Sequence, residues 1–149
     1  MSVAIDANVA AAVILPLPYS DQAVRHITTW KREDIGLLAP MLLEYEVSAI
    51  LRKAVVAGWL TAGAATDSMT QVRKLNIQCL PPTLALHERA LAFASRLGQS
   101  KTYDAHYLAL AEDQGVELWT ADNRLANGAR RAGIVWVRWI GDAVASAQA

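Results

Sequence analysis

The sequence predicts a three-layer α/β/α fold built on a central parallel sheet. Two observations carry this expectation. Short apolar runs alternate with longer stretches of helical spacing, the pattern of strands joined by crossover helices. Glycines then punctuate the helical stretches where helix ends are expected. A third observation sets the extent: with no repeat, low-complexity segment or linker in its 149 residues, the chain is expected to form a single domain over 1–149.

Val3-Ala4-Ile5 reads as a buried strand followed by a polar break. From about Asp21 to Arg32, Val24, Ile27 and Thr28 recur at helical spacing and the stretch ends in charges. Ile35-Gly36-Leu37-Leu38-Ala39 is a second strand, stopped by Pro40. Helices follow from about Met41 to Ala57, closed by Gly58, and from about Ala62 to Leu75. Ile77-Gln78-Cys79-Leu80 is a short strand ended by Pro81-Pro82. Two more helices run from about Leu84 to Leu97 and from Tyr103 to Gln114, closed by Gly98 and Gly115. Val116 to Thr120 is a strand, Asp122 to Arg131 a helix with Gly133 after it, and Val135-Trp136-Val137 the last strand.

Apolar residues make up 54% of the chain and the formal net charge is zero. Bulk charge therefore does not advertise nucleic-acid binding, and a phosphate-bearing substrate would need a local arrangement to hold it. The apolar content leaves room for an exposed patch, hence a dimer or protein partner. No apolar run is long enough to cross a bilayer, and the N-terminus lacks the basic region of a signal peptide. Cys79 is alone, so neither an internal disulfide nor a cysteine-based metal site is expected, and a cytoplasmic location fits best.

The acids are more informative. Asp6 ends the first strand, and Asp122 follows strand Leu118-Trp119-Thr120 and opens a helix. Both emerge where open α/β sheets bind ligands, at the carboxyl ends of strands. Either could equally be a helix N-cap. Asp104 shares a helix face with Leu108 and Ala111, the face expected to pack inward, although an acid in a first turn also suits the helix dipole. In Leu42-Leu43-Glu44-Tyr45-Glu46-Val47, the glutamates lie roughly 200° apart around the helix. They flank the apolar stripe of Leu43, Val47, Ile50 and Ala54 on opposite borders, so the helical wheel does not choose between them. Carboxylates gathered at one rim repel each other unless a cation neutralises them. Oxygen ligands without cysteine favour Mg²⁺ or Mn²⁺ over zinc.

With these residues in place, the chain resembles PIN-domain proteins, most closely VapC-type toxin ribonucleases. The resemblance covers nearly the whole sequence. It rests on Val3-Ala4-Ile5-Asp6-Ala7-Asn8, on Ala39-Pro40 through Glu46-Val47-Ser48-Ala49-Ile50-Leu51-Arg52-Lys53, on Tyr103-Asp104-Ala105-His106-Tyr107-Leu108-Ala109-Leu110-Ala111-Glu112, and on Leu118-Trp119-Thr120-Ala121-Asp122. It implies a PIN-like α/β/α domain in which Asp6, Glu46, Asp104 and Asp122 are the metal-site acids and Glu44 is a bystander. It further implies that Thr120 supports the acidic pocket by hydrogen bonding. Asn8 and Asn123 fall at positions where the family carries polar groups. The implied activity is a cytoplasmic, Mg²⁺- or Mn²⁺-dependent endoribonuclease that leaves a 5′-phosphate and a 3′-hydroxyl. The implied partners are RNA, a second copy of the chain and a cognate antitoxin. The alternatives are a PIN nuclease working without an antitoxin and a PIN module that binds without cleaving.

Arg52, Lys53, Lys101, Arg124, Arg130 and Arg131 are candidate phosphate contacts set against the simpler reading of solvated surface charges. Lys53 lies about 20° from Glu46 around their helix. His26, His87 and His106 read as structural. Trp119 and Trp136 are expected in the core, and Trp59 and Trp139 nearer the surface. Asp21, Asp34, Asp67, Asp113 and Asp142 stand outside the constellation.

Overall fold

The computed structural model describes residues 1–142 of the chain. Its strands are β1 (Ser2–Ile5), β2 (Gly36–Pro40), β3 (Gln78–Leu80), β4 (Leu118–Thr120) and β5 (Val137–Trp139). They form one sheet in the order β3-β2-β1-β4-β5, every neighbouring pair parallel. β1 is central: Val3 pairs with Leu37 of β2 on one side and Ile5 with Trp119 of β4 on the other. Near-continuous burial along β1, β2 and β4 matches a parallel sheet covered on both faces.

The helices are α1 (Ala7–Ile14), α2 (Ser20–Arg32), α3 (Leu42–Val56), α4 (Ala62–Arg73), α5 (Leu84–Arg96), α6 (Tyr103–Gln114) and α7 (Asn123–Arg131). Right-handed crossovers place the helices linking β1, β2 and β3 on one face and α5, α6 and α7 on the other. Helix α6 packs on β1, β2 and β4, with α5 behind it. Leu43, Val47, Leu51 and Ala54 of α3 are buried, and each large apolar side chain removed from water contributes about 1.5–3 kcal/mol. Buried side chains from both layers join in one cluster.

The structure corrects the sequence reading in two places. The polar break after β1 is instead α1, eight residues long, with Ala7, Val9, Ala10, Ala11 and Ala12 buried. A short helix that is apolar on nearly every side carries no periodic signature. The last strand lies two residues beyond Val135–Val137. Helix α7 ends with Gly133 at φ 79°, in the left-handed region. The Ile134 N–H then returns to the Ala129 carbonyl at 2.9 Å. That turn consumes Ile134 and leaves Val135 83% exposed, so pairing begins at Val137, opposite Leu118. Trp136 therefore precedes the strand, half-buried against Phe93, and Trp139 is half-buried too. Trp119 is buried as expected, next to Trp30 and His26, and Trp59 is exposed.

Candidate active site

The strand order reverses direction between β1 and β4, the switch point at which such sheets open a crevice. Asp6 stands there. It caps α1, its Oδ1 accepting the Val9 N–H at 3.0 Å. Its Oδ2 accepts the hydroxyl of Thr120, the last residue of β4. The same Thr120 oxygen accepts the Asp122 N–H at 2.9 Å. Asp6 is 6% exposed, and burial raises its pKa to about 6, against the opposing pull of its hydrogen bonds and with the Asp104 charge adding to the rise.

Glu46 lies one turn into α3 and Asp104 in the first turn of α6. Glu46 Oε1 accepts the Tyr107 hydroxyl at 2.6 Å. Burial raises the Glu46 pKa, the Tyr107 hydrogen bond lowers it and the Asp104 charge raises it. Burial also raises the Asp104 pKa, the Asp122 charge adds to it and Arg124 opposes it.

Asp6, Glu46 and Asp104 line one open hollow of about 410 Å³, together with Asn8, Lys53 and Tyr107. Leu42, Tyr45, Ile50 and Tyr103 complete its walls. Asp122 is not among the lining residues. It caps α7, accepting the Arg124 and Leu125 N–H groups at 2.9 and 3.4 Å, with the Arg124 guanidinium 3.7 Å away. Its charge still reaches the site: it acts on Asp104, and both Asp6 and Asp122 add to the rise that burial imposes on the Tyr19 phenol. Both strand-end acids are thus N-caps, and Asp6 also faces the hollow.

Glu44 lies elsewhere, paired with Arg73 at 3.0 Å. Arg52 lines a separate depression with α4 residues, Lys101 and Asn123 are exposed, and Arg124 lies at the Asp122 end. Among the described residues, Lys53 is the one cation of the hollow lining. The histidines have structural partners: His26 with the Ile140 carbonyl, His106 with the Thr102 carbonyl and with His87. The sequence reading passed over Tyr107, although it lies three residues after Asp104 on the same helix face, where a buried phenol needs a partner. It also passed over Tyr45 and Tyr103.

Among the described residues, no three His, Cys, Asp or Glu side chains form a cluster placed to hold a metal ion. The donor chemistry nonetheless fits a hard divalent cation. Three carboxylates face one space with, among the described residues, a single lysine to offset them; burial raises the pKa of each, and a neighbouring carboxylate adds to the rise. An ion such as Mg²⁺, which keeps several waters and takes one or two carboxylates, does not require a closed cage of protein donors.

A parallel α/β/α sheet with an acid-lined hollow at its switch point defines a class, and comparison with known proteins names it. The PIN-domain family model matches residues 3–131. Ribonuclease VapC3 of Pyrobaculum aerophilum is 31% identical over 130 residues, covering 85% of this chain and 93% of the relative. The crystal structure of PAE2754 from the same organism superposes with a TM-score of 0.65 at 25% identity, covering 95% of this chain and 93% of that one. That of Mycobacterium tuberculosis VapC20, a sarcin-ricin loop cleaving toxin, gives 0.66 at 18% identity, covering 91% and 98%. The chain belongs to the PIN-domain family, and VapC3 and VapC20 are among the proteins it is similar to.

Proposed function

We propose that the protein is a VapC-type endoribonuclease that hydrolyses RNA phosphodiesters with a bound Mg²⁺ or Mn²⁺. The observation that carries this reading is the convergence of Asp6, Glu46 and Asp104, from three separate elements, on one hollow. The relationship to Ribonuclease VapC3 supports RNA as the substrate.

Asp6, Glu46 and Asp104 would hold the ion, and Asp122 would add negative potential from behind Asp104. The chemistry a divalent ion supplies in such a site is activation of a water and relief of charge on the attacked phosphate. The rest falls to the chain. Thr120 and the Val9 N–H fix both oxygens of Asp6, and Tyr107 fixes one oxygen of Glu46, so the carboxylates are oriented before substrate arrives. Lys53 supplies a positive contact for the phosphate, and Leu42 and Ile50 add apolar wall to the hollow. Asn8, on the hollow's lining, is a candidate hydrogen-bond donor to the substrate.

A cognate antitoxin and a second copy of the chain are the protein partners this reading implies; exposed Leu84 and Leu91 provide apolar surface for such contacts. No helix among the described residues is long and apolar enough to cross a membrane.

The test is cleavage of total RNA by purified protein. Activity is expected with Mg²⁺ or Mn²⁺, and loss of it with EDTA and with Asp6→Ala. Undiminished cleavage by Asp6→Ala, with a folded circular-dichroism spectrum, would refute the proposal.

A further inference from the structure

Beside the acidic hollow runs a second cleft of about 400 Å³, within the size range of small-ligand sites. The two share Leu42, Tyr45 and Tyr103. Leu80 and Leu86 make the second cleft apolar, and His87 and His106 add polar groups. Tyr45 is 71% exposed and Tyr103 53%, so two aromatic rings stand in water on the boundary between a site for phosphate and a greasy recess.

We infer that this cleft receives an unstacked nucleobase of the RNA strand whose phosphate occupies the acidic hollow. The inference rests on the nuclease reading and deepens it. Continuity decides the occupant: whatever enters the cleft adjoins the phosphate site, and in RNA a base is covalently tied to each phosphate. An aromatic boundary is the usual platform for a splayed base, because every base has a π face.

The histidine pair gives the cleft a hydrogen-bonding preference. His106 Nδ1 lies 2.7 Å from the Thr102 carbonyl oxygen. A carbonyl can only accept, so this nitrogen carries the proton. In the neutral ring Nε2 is then an acceptor, and it takes a hydrogen bond from His87 Nδ1 at 2.8 Å. That leaves His87, an exposed residue, with a bare Nε2 acceptor. Such an acceptor matches the exocyclic amino group of cytosine and faces the O4 carbonyl of uracil unfavourably.

The experiment measures fluorescence anisotropy of end-labelled single-stranded ribo-octamers of cytidine, of uridine and of abasic ribose-phosphate, with Mg²⁺ present. All proteins keep Asp6, Glu46 and Asp104, so the ion site stays whole, and anisotropy is read in the first seconds after mixing at low temperature, with gel analysis confirming that the octamers are uncut. The abasic octamer, with the same phosphates and no base, is expected to bind about fivefold or more weakly. Tyr45→Ala and Tyr103→Ala should bring cytidine binding toward the abasic level, and Tyr103→Phe should keep it. His87→Ala should abolish the preference for cytidine over uridine. Equal binding of abasic and intact octamers would overturn the inference and leave the nuclease reading standing. Binding of no octamer would overturn both. If Tyr103→Ala halves the molar mass in light scattering while leaving RNA affinity unchanged, the cleft lies between copies of the chain and the inference falls.

Discussion

The Tyr107 hydroxyl donates to Glu46 Oε1 at 2.6 Å, across 61 residues of sequence. Tyr107 is 1% exposed, and burial together with the Glu46 charge pushes its phenol far up, so it remains a protonated donor. The bond fixes the carboxylate of α3 against α6, the helix that carries Asp104. It makes the relative placement of two acids a property of the core rather than of mobile side chains.

Tyr107→Phe removes that donor and keeps the ring. The expected result is a fall in RNA cleavage of between about tenfold and a hundredfold, partly recovered at higher Mn²⁺, with little change in Tm. A Mn²⁺ titration of the rate, beside thermal melts, checks it. Unchanged rate and unchanged Mn²⁺ dependence would mean Glu46 needs no fixing.

Asp6 sets a pH dependence with a definite sign. Its pKa is near 3.8 unfolded and about 6 folded, so between these values the folded state holds more protons. Stability from this group therefore falls as pH rises through the window and stays low above it. The gap corresponds to at most about 3 kcal/mol. Without divalent ions, Asp6→Asn should be more stable than wild type at pH 7, and the difference should vanish near pH 4. His26, buried with its pKa lowered, contributes the opposite slope below its ordinary value of 6.5 in both proteins, so the comparison cancels it. Melts from pH 4 to 8 in EDTA measure the difference.

Thr120→Val keeps the shape of a side chain that is fully buried and strands its two partners, Asp6 Oδ2 and the Asp122 N–H. An unsatisfied buried group costs about 1–3 kcal/mol. The urea midpoint should drop at unchanged m-value, and cleavage should slow because Asp6 loses one of its two restraints.

The two glutamates of α3 should separate cleanly. Glu46→Gln is expected to abolish cleavage. Glu44→Gln breaks only an exposed ion pair with Arg73, a contact worth between zero and about 1 kcal/mol, and should leave both rate and Tm unchanged. Equal loss in both variants would point to damage of α3 rather than of the site.

Much of this architecture was legible because strand and helix periodicities, proline stops and glycine closures agree along most of the chain. Asp6, Glu46 and Asp104 were legible as acids at strand ends or helix faces, but the choice of Glu46 over Glu44 came from the family resemblance and not from the helical wheel. Angular position around α3 places both beside the apolar stripe, and the physical distinction comes from the packing of α6, which sets Tyr107 against Glu46. Helix α1 was hidden because Ala7-Asn8-Val9-Ala10-Ala11-Ala12 lacks a polar face. The start of β5 was hidden because Val135 and Val137 are equally strand-like, and the turn after Gly133 decides which one pairs. The placement of Asp122 outside the hollow was hidden for a similar reason: following a strand directly specifies the rim, not the direction in which a capping side chain turns.

The central claim is that Asp6, Glu46 and Asp104 share one divalent ion. Isothermal titration of Mn²⁺ into the wild type and into Asp6→Asn, Glu46→Gln and Asp104→Asn, with Glu44→Gln as control, tests it most directly. The account predicts binding in the wild type and the control, and a severe loss in each of the other three. Wild-type affinity retained in any one of those three would contradict it.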